Sequence, residues 1–188
     1  ILIFASMWDE DNKIIFEKFI NSPLVNHFKK VIIVPHEVND SYLNYYCSVL
    51  EDNDFSFKKI NQYQNFNQFE EKYIIVNKVG FLSKLYAQST ITYVGGGFSK
   101  SGIHNIIEPA AASNPVIFGS NFLNSNKSDA EGLIDVSGGF SVDSYELFTE
   151  KINWLLDKNN YNNSSKNCKS FVTENSGSTE KILKELYE

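Results

Sequence analysis

The stretch Ile91-Thr92-Tyr93-Val94-Gly95-Gly96-Gly97-Phe98-Ser99-Lys100-Ser101-Gly102-Ile103-His104-Asn105-Ile106-Ile107-Glu108-Pro109 passes from an apolar, β-prone run through three glycines into a helix. Consecutive glycines permit positive φ and close approach to the main chain. Pro109 is tolerated in a helix only near its first turn, which places the start near His104–Ile107, with the helix running from Asn105 to Ala112. The amides of Gly102 to Asn105 would then face outward from a helix N-terminus, where an anion such as a phosphate is favoured. The glycines alone fit a tight strand-to-helix turn equally well. Their spacing matches neither GxGxxG nor the GxxxxGK[ST] loop. His104 and Glu108 are four apart, which predicts one shared helix face. A carboxylate one turn in can accept hydrogen bonds from paired ribose hydroxyls; it can also simply complement the helix dipole. His104, taken alone, reads as a capping or packing residue.

Outward from this stretch the pattern repeats. Ile1–Ala5, Val31–Val34, Tyr73–Val76, Ile91–Val94 and Val116–Phe118 are short apolar runs without polar alternation, as in strands covered on both faces. Helical patterns lie between them: one beginning at Asp9 or Asp11 as cap with Ile14, Ile15, Phe19 and Ile20 as its stripe, then Val38–Leu50, Phe81–Ala87 and Asp129–Ile134. An edge strand is expected near Phe55–Lys58 and a last strand at Gly138–Val142. Terminal helices are expected at Tyr145–Leu156, Asn163–Thr173 and Thr179–Tyr187, with the Asn-rich run Asn159–Asn167 as a connecting loop. Strands alternating with helices predict a Rossmann-like α/β domain: a parallel sheet with helices on both faces.

In such sheets ligands bind at the carboxyl ends of the strands. Ser6-Met7-Trp8 follows the first strand, Pro35-His36-Glu37 the second and Asn77-Lys78-Val79-Gly80 the third, while Phe118–Phe122 closes the same edge. Each alone is a common turn or cap residue. Their shared edge makes Ser6, Trp8, Pro35, His36, Gly80, Gly96, Gly97, Gly102, His104, Asn105 and Glu108 the candidate site.

Composition narrows the partners. The 188 residues carry a net charge of −6, and a general nucleic-acid binder is usually basic. The two cysteines, Cys47 and Cys168, have no CxxC or His spacing, so they read as reduced, buried thiols in a reducing compartment, with no metal site expected. The first apolar run is far too short to span a bilayer. A chain opening inside a buried strand reads as one piece of a larger protein whose preceding half is missing.

Several motifs, in order along nearly the whole chain, resemble the C-terminal half of the 3-deoxy-D-manno-octulosonic acid (Kdo) transferases of lipopolysaccharide synthesis. They are Ala5-Ser6-Met7-Trp8-Asp9-Glu10-Asp11, Val34-Pro35-His36-Glu37, Gly80 to Ala87, Val94 to Phe98, Gly102 to Ala110 and Pro115 to Gly119. The fuller likeness is to the Bacteroidetes branch. The resemblance implies the C-terminal half of a GT-B fold, with an active site between two Rossmann-like halves. It implies CMP-Kdo as donor substrate, no cofactor, inverting transfer without metal, and a lipid A precursor bound by the N-terminal half, which would also supply the catalytic base. The full-length enzyme would meet the membrane surface at the cytoplasmic face of the bacterial inner membrane. Carried over by position, Gly96 and Gly97 would line the donor phosphate beside the Gly102–Asn105 amides. Glu108 would hold the cytidine ribose, Ser6 and His36 would face the Kdo or phosphate region, and Asn105 would sit near the leaving phosphate. The chain departs from the family pattern where an Arg commonly separates Pro35 from His36; Lys78, Lys100 and Lys127 are substitutes to consider. Met7 and Asn77 also replace the usual small hydroxyl residue and Asp. The competing expectations are another GT-B enzyme using a UDP-sugar and a non-catalytic α/β binding module. A Rossmann oxidoreductase ranks last, because Ala5–Trp8 stands where GxGxxG would be.

Overall fold

The computed structural model describes residues 1–122 and 126–176. Seven strands, β1 (Leu2–Met7), β2 (Val31–Pro35), β3 (Phe57–Ile60), β4 (Tyr73–Val76), β5 (Ile91–Val94), β6 (Val116–Gly119) and β7 (Gly139–Val142), form one sheet in the order β3-β4-β2-β1-β5-β6-β7. Every pairing is parallel. From β1 the chain moves to β2, sets β3 at the sheet edge, fills the gap with β4 and resumes on β1's other side at β5. The switch point therefore lies between β1 and β5, whose ends carry Ser6–Trp8 and the three glycines.

Side chains two apart on a strand share a face. Leu2, Phe4, Ile33, Ile75, Tyr93 and Ile117 pack on one side, beneath α1 (Asp9–Asp11), the π-helical stretch Asn12–Phe16 and α2 (Glu17–Ile20), with α3 (Asp40–Glu51) and α7 (Tyr145–Leu156). Phe4 sits at the centre, its ring 5.5 Å from Phe16, 5.2 Å from Phe19 and 5.7 Å from Tyr93. Each such pair adds about 1 kcal/mol beyond burial. The other face divides in two. Ile3, Ile32, Ile74 and Val76 meet α4 (Leu82–Tyr86). Val94, Val116 and Phe118 meet α5 (Ile107–Ala111), α6 (Lys127–Asp135) and Cys168 of α8 (Lys158–Asn175). Helices thus cover both faces, as the uninterrupted apolar strands require.

Three expectations need correction. The first helix is capped at Trp8, with Asp9 and Asp11 inside its first turn, and Asp11 is fully buried. Asn159–Asn167 is no loop but lies within α8. Asp157 starts that helix by accepting from the Asn159 and Asn160 amides at 2.9 and 3.0 Å. Asn167 bonds the Val136 carbonyl and Ser164 that of Ser137, both at 2.6 Å, so packing outweighs a propensity deficit of a few tenths of a kcal/mol per Asn. The edge strand is Phe57–Ile60, two residues beyond its expected place. The helix expected at Thr179–Tyr187 lies outside the described residues. Both cysteines are free and buried; burial pushes the Cys168 thiol up to about 12, so it is unreactive at neutral pH.

Candidate functional site

The buried Asp11 carboxylate organises the switch point. One oxygen accepts from the amides of Trp8 (3.1 Å) and Gly96 (2.8 Å); the other accepts from the Tyr93 hydroxyl (2.6 Å). The ends of β1 and β5 are thereby pinned to one side chain. Burial raises the Asp11 carboxyl above its ordinary pKa, and the three donors pull it back. The sequence marks Asp11 only as a cap. Its separation from Gly96 by 85 positions conceals this role.

The glycines serve the chain itself. Gly96 has φ +97° and faces the Gly102 carbonyl, with His104 beside it. A Cβ on Gly95 would lie 2.9 Å from the Asp11 carboxylate and closer still to the Ser6 carbonyl. One on Gly97 would lie 2.5 Å from the Gly119 Cα. Close backbone approach is what these residues provide, and at Gly95 and Gly97 the partner is protein main chain. Ser6, at φ 53°, holds a left-handed conformation at an irregularity in the β1–β2 register.

The helix opening differs from expectation. α5 begins at Ile107, so Gly102–Ile106 lies outside the helix and His104 shares no helix face with Glu108. The Gly102 amide donates to Ser99 (3.4 Å) and that of His104 to Gly95 (3.3 Å). Asn105 Oδ1 accepts from the Ile107 and Glu108 amides at 2.9 and 3.2 Å, and its Nδ2 donates to Glu108 at 3.0 Å. A five-residue helix has a small dipole, and its first amides are already capped. Among the described residues, the Gly97 and Asn105 amides have no intrachain acceptor. Asn105 and Glu108 are exposed.

The remaining residues converge around rings. Trp8 stacks on His36 with centroids 3.9 Å apart, His36 lies 4.5 Å from His104, and the Trp8 indole donates to His104 Nε2 at 2.8 Å. Burial lowers the pKa of both histidines; Glu37 opposes this at His36, while His36 adds to it at His104. Ser6, Pro35, His36, Lys78 and Gly80 line one cavity of about 140 Å³ at the same edge. Of the residues expected at this edge, Ser6, Trp8, Pro35, His36, Gly80, Gly96, Gly102 and His104 adjoin, Gly97 abuts Gly119, and Asn105 and Glu108 are exposed and bonded to each other. A larger cavity of about 350 Å³, lined by Asp9, Asn12, Lys13, Ser41, Tyr42 and Tyr45, had no sequence signal. Among the described residues no cluster of three or more His, Cys, Asp or Glu is placed to hold a metal ion, and no helix is long and apolar enough to cross a membrane.

Fold and site define a doubly wound, Rossmann-like α/β domain whose motifs meet at a single switch point. Over 98% of its length the chain is similar to a 3-deoxy-D-manno-octulosonic acid transferase of Rickettsia bellii, at 28% identity, and to that of Chlamydia trachomatis serovar D, also at 28%. The chain is thus related to the Kdo transferases, and it spans less than half the length of these curated relatives, 43% and 42%. A bifunctional glycosyltransferase/methyltransferase of Fusobacterium nucleatum is 31% identical over 77% of the chain, which covers 22% of that protein. The structure described as the C-terminal CMP-Kdo binding domain of WaaA from Acinetobacter baumannii superposes with a TM-score of 0.75 at 17% identity, covering 91% of this chain and 88% of that one. At that identity the likeness carries the fold. No family model matches.

Proposed function

We propose that this chain is the donor-binding half of a glycosyltransferase that moves Kdo from CMP-Kdo to a lipid A precursor. The observation that carries the reading is similarity over 98% of this chain to a Kdo transferase, with the residues quoted for that resemblance meeting at one switch point. CMP would lie along the Gly96–Gly97 turn, with the exposed Glu108 accepting from the ribose hydroxyls. The Kdo group would enter the cavity beside Ser6 and His36. Lys78 lines that cavity, whereas Lys127 pairs with Glu131 at 3.8 Å. Of the three lysines, Lys78 is therefore the best-supported partner for the sugar carboxylate where the family's Arg is missing.

Cleavage of CMP-Kdo leaves a phosphate monoester, so negative charge grows on the departing group. Fixed N–H donors aimed there stabilise the transition state most. The base that deprotonates the acceptor belongs, on this reading, to another half of the enzyme, together with acceptor and membrane contacts. Transfer is read as inverting and free of metal and cofactor.

Calorimetry of CMP, UDP and ADP against the chain tests the reading. Preference for CMP, lost in Glu108→Ala, is the expected result. Preference for UDP favours a UDP-sugar enzyme, and no nucleotide binding favours a non-catalytic module. Kdo transfer by this chain alone would overturn the placing of the base.

A further inference from the structure

The Trp8–His104 contact constrains chemistry more tightly than the stacking around it. An indole N–H can only donate. Its 2.8 Å bond to Nε2 therefore requires a lone pair there, and the neutral imidazole must carry its proton on Nδ1. Trp8 is itself held in place: its ring stacks on His36 and its amide donates to the buried Asp11 carboxylate, which also grips the Gly96 amide. His104 in turn lies against Gly96, and the Asn126 side chain donates to its carbonyl at 3.3 Å. Among the described residues nothing accepts from Nδ1, although the ring is half-buried at the ligand edge.

We propose that Trp8 is a positioning residue that locks His104 in its neutral Nδ1–H tautomer, so that the ring offers one fixed, uncharged N–H donor to an anionic phosphate oxygen of the nucleotide. The ligand half of this inference rests on the proposed function; the tautomer half does not. A neutral donor suits a step in which charge builds on the departing phosphate, because the ring gives a hydrogen bond without having to give up its proton. Trp8 acts through His104 and needs no contact with the reacting atoms.

The chain has three histidines, so 15N-histidine labelling gives a resolvable spectrum. Without nucleotide, His104 should show the Nδ1–H pattern at neutral pH. Trp8→Phe keeps the ring stack but removes the donor, and should release His104 toward Nε2–H. An Nε2–H pattern in the unmodified chain, or no change in Trp8→Phe with its melting transition intact, overturns the lock. CMP titration followed by chemical shift tests the ligand half. His104→Asn places an amide N–H near the Nδ1 position and should bind within about twofold of the parent; His104→Gln places it near Nε2 and should bind about fivefold weaker, the worth of one hydrogen bond. Equal losses in both overturn the donor role. If CMP shifts no resonance even in the unmodified chain, the nucleotide reading fails, while the tautomer result stands on its own spectrum.

Discussion

Replacing Asp11 tests whether one carboxylate holds the switch point together. In Asp11→Ala the Gly96 amide and the Tyr93 hydroxyl lose their acceptor in a region closed to water, while the Trp8 amide is only partly buried. Each buried, unsatisfied donor costs about 1–3 kcal/mol, so the two together cost about 4 kcal/mol. For a domain of this size that lowers the melting temperature by about 10 °C. Asp11→Asn should behave differently. Its amide oxygen can face the Trp8 and Gly96 amides, which share one carboxylate oxygen, while its NH₂ donates to a rotated Tyr93 hydroxyl. The two backbone amides stay partnered and a buried charge disappears, but the Tyr93 O–H proton loses its acceptor, so the loss is about 2 kcal/mol, half that of Ala. Because burial raises the Asp11 pKa, the folded chain holds this proton more tightly than the unfolded one. That contribution favours the fold in acid and fades as pH climbs past the raised value; Asn abolishes it. Thermal unfolding by circular dichroism, with urea melts for free energies, measures all three proteins. Asp11→Ala within 1 kcal/mol of the parent, or Asn as damaging as Ala, would refute the argument.

Other outcomes follow from the same geometry. Gly97→Ala or Gly119→Ala should cost more than about 3 kcal/mol or prevent soluble expression, because backbone meets backbone there, whereas Gly80→Ala faces open space and should cost only the positive-φ penalty of about 1 kcal/mol. Glu108→Ala should leave urea stability within about 1 kcal/mol while weakening CMP binding at least tenfold by calorimetry; a matching fall in stability would mark a merely structural residue. His36 and His104 have lowered pKa values in the fold, so the unfolded chain binds more protons. Their contribution is complete above the ordinary histidine pKa of about 6.5 and is lost as pH drops through the lowered values. A melt series from pH 7.5 to 5 should show falling stability, with a shallower slope in the His36→Gln/His104→Asn double variant; an unchanged slope would contradict the assignment.

Sequence determined the Rossmann-like fold here because five of the seven strands are apolar on both faces, a pattern that only a sheet covered twice by helices can bury. It also placed Ser6, Trp8, His36, Gly80 and the glycine turn on one edge of the sheet, since strand ends are local features and a parallel sheet gathers them at one side. The tertiary structure alone decided what these residues do to one another. Gly97 is glycine because of Gly119, Asp11 is a hub because of Tyr93 and Gly96, and Asn105 caps the helix whose amides were expected to be bare. Such relations join positions far apart in the chain, or hang on two residues of helix start, and neither periodicity nor composition encodes them. Packing also turned an asparagine-rich run into a helix, because contacts on one buried face outweigh weak local preference.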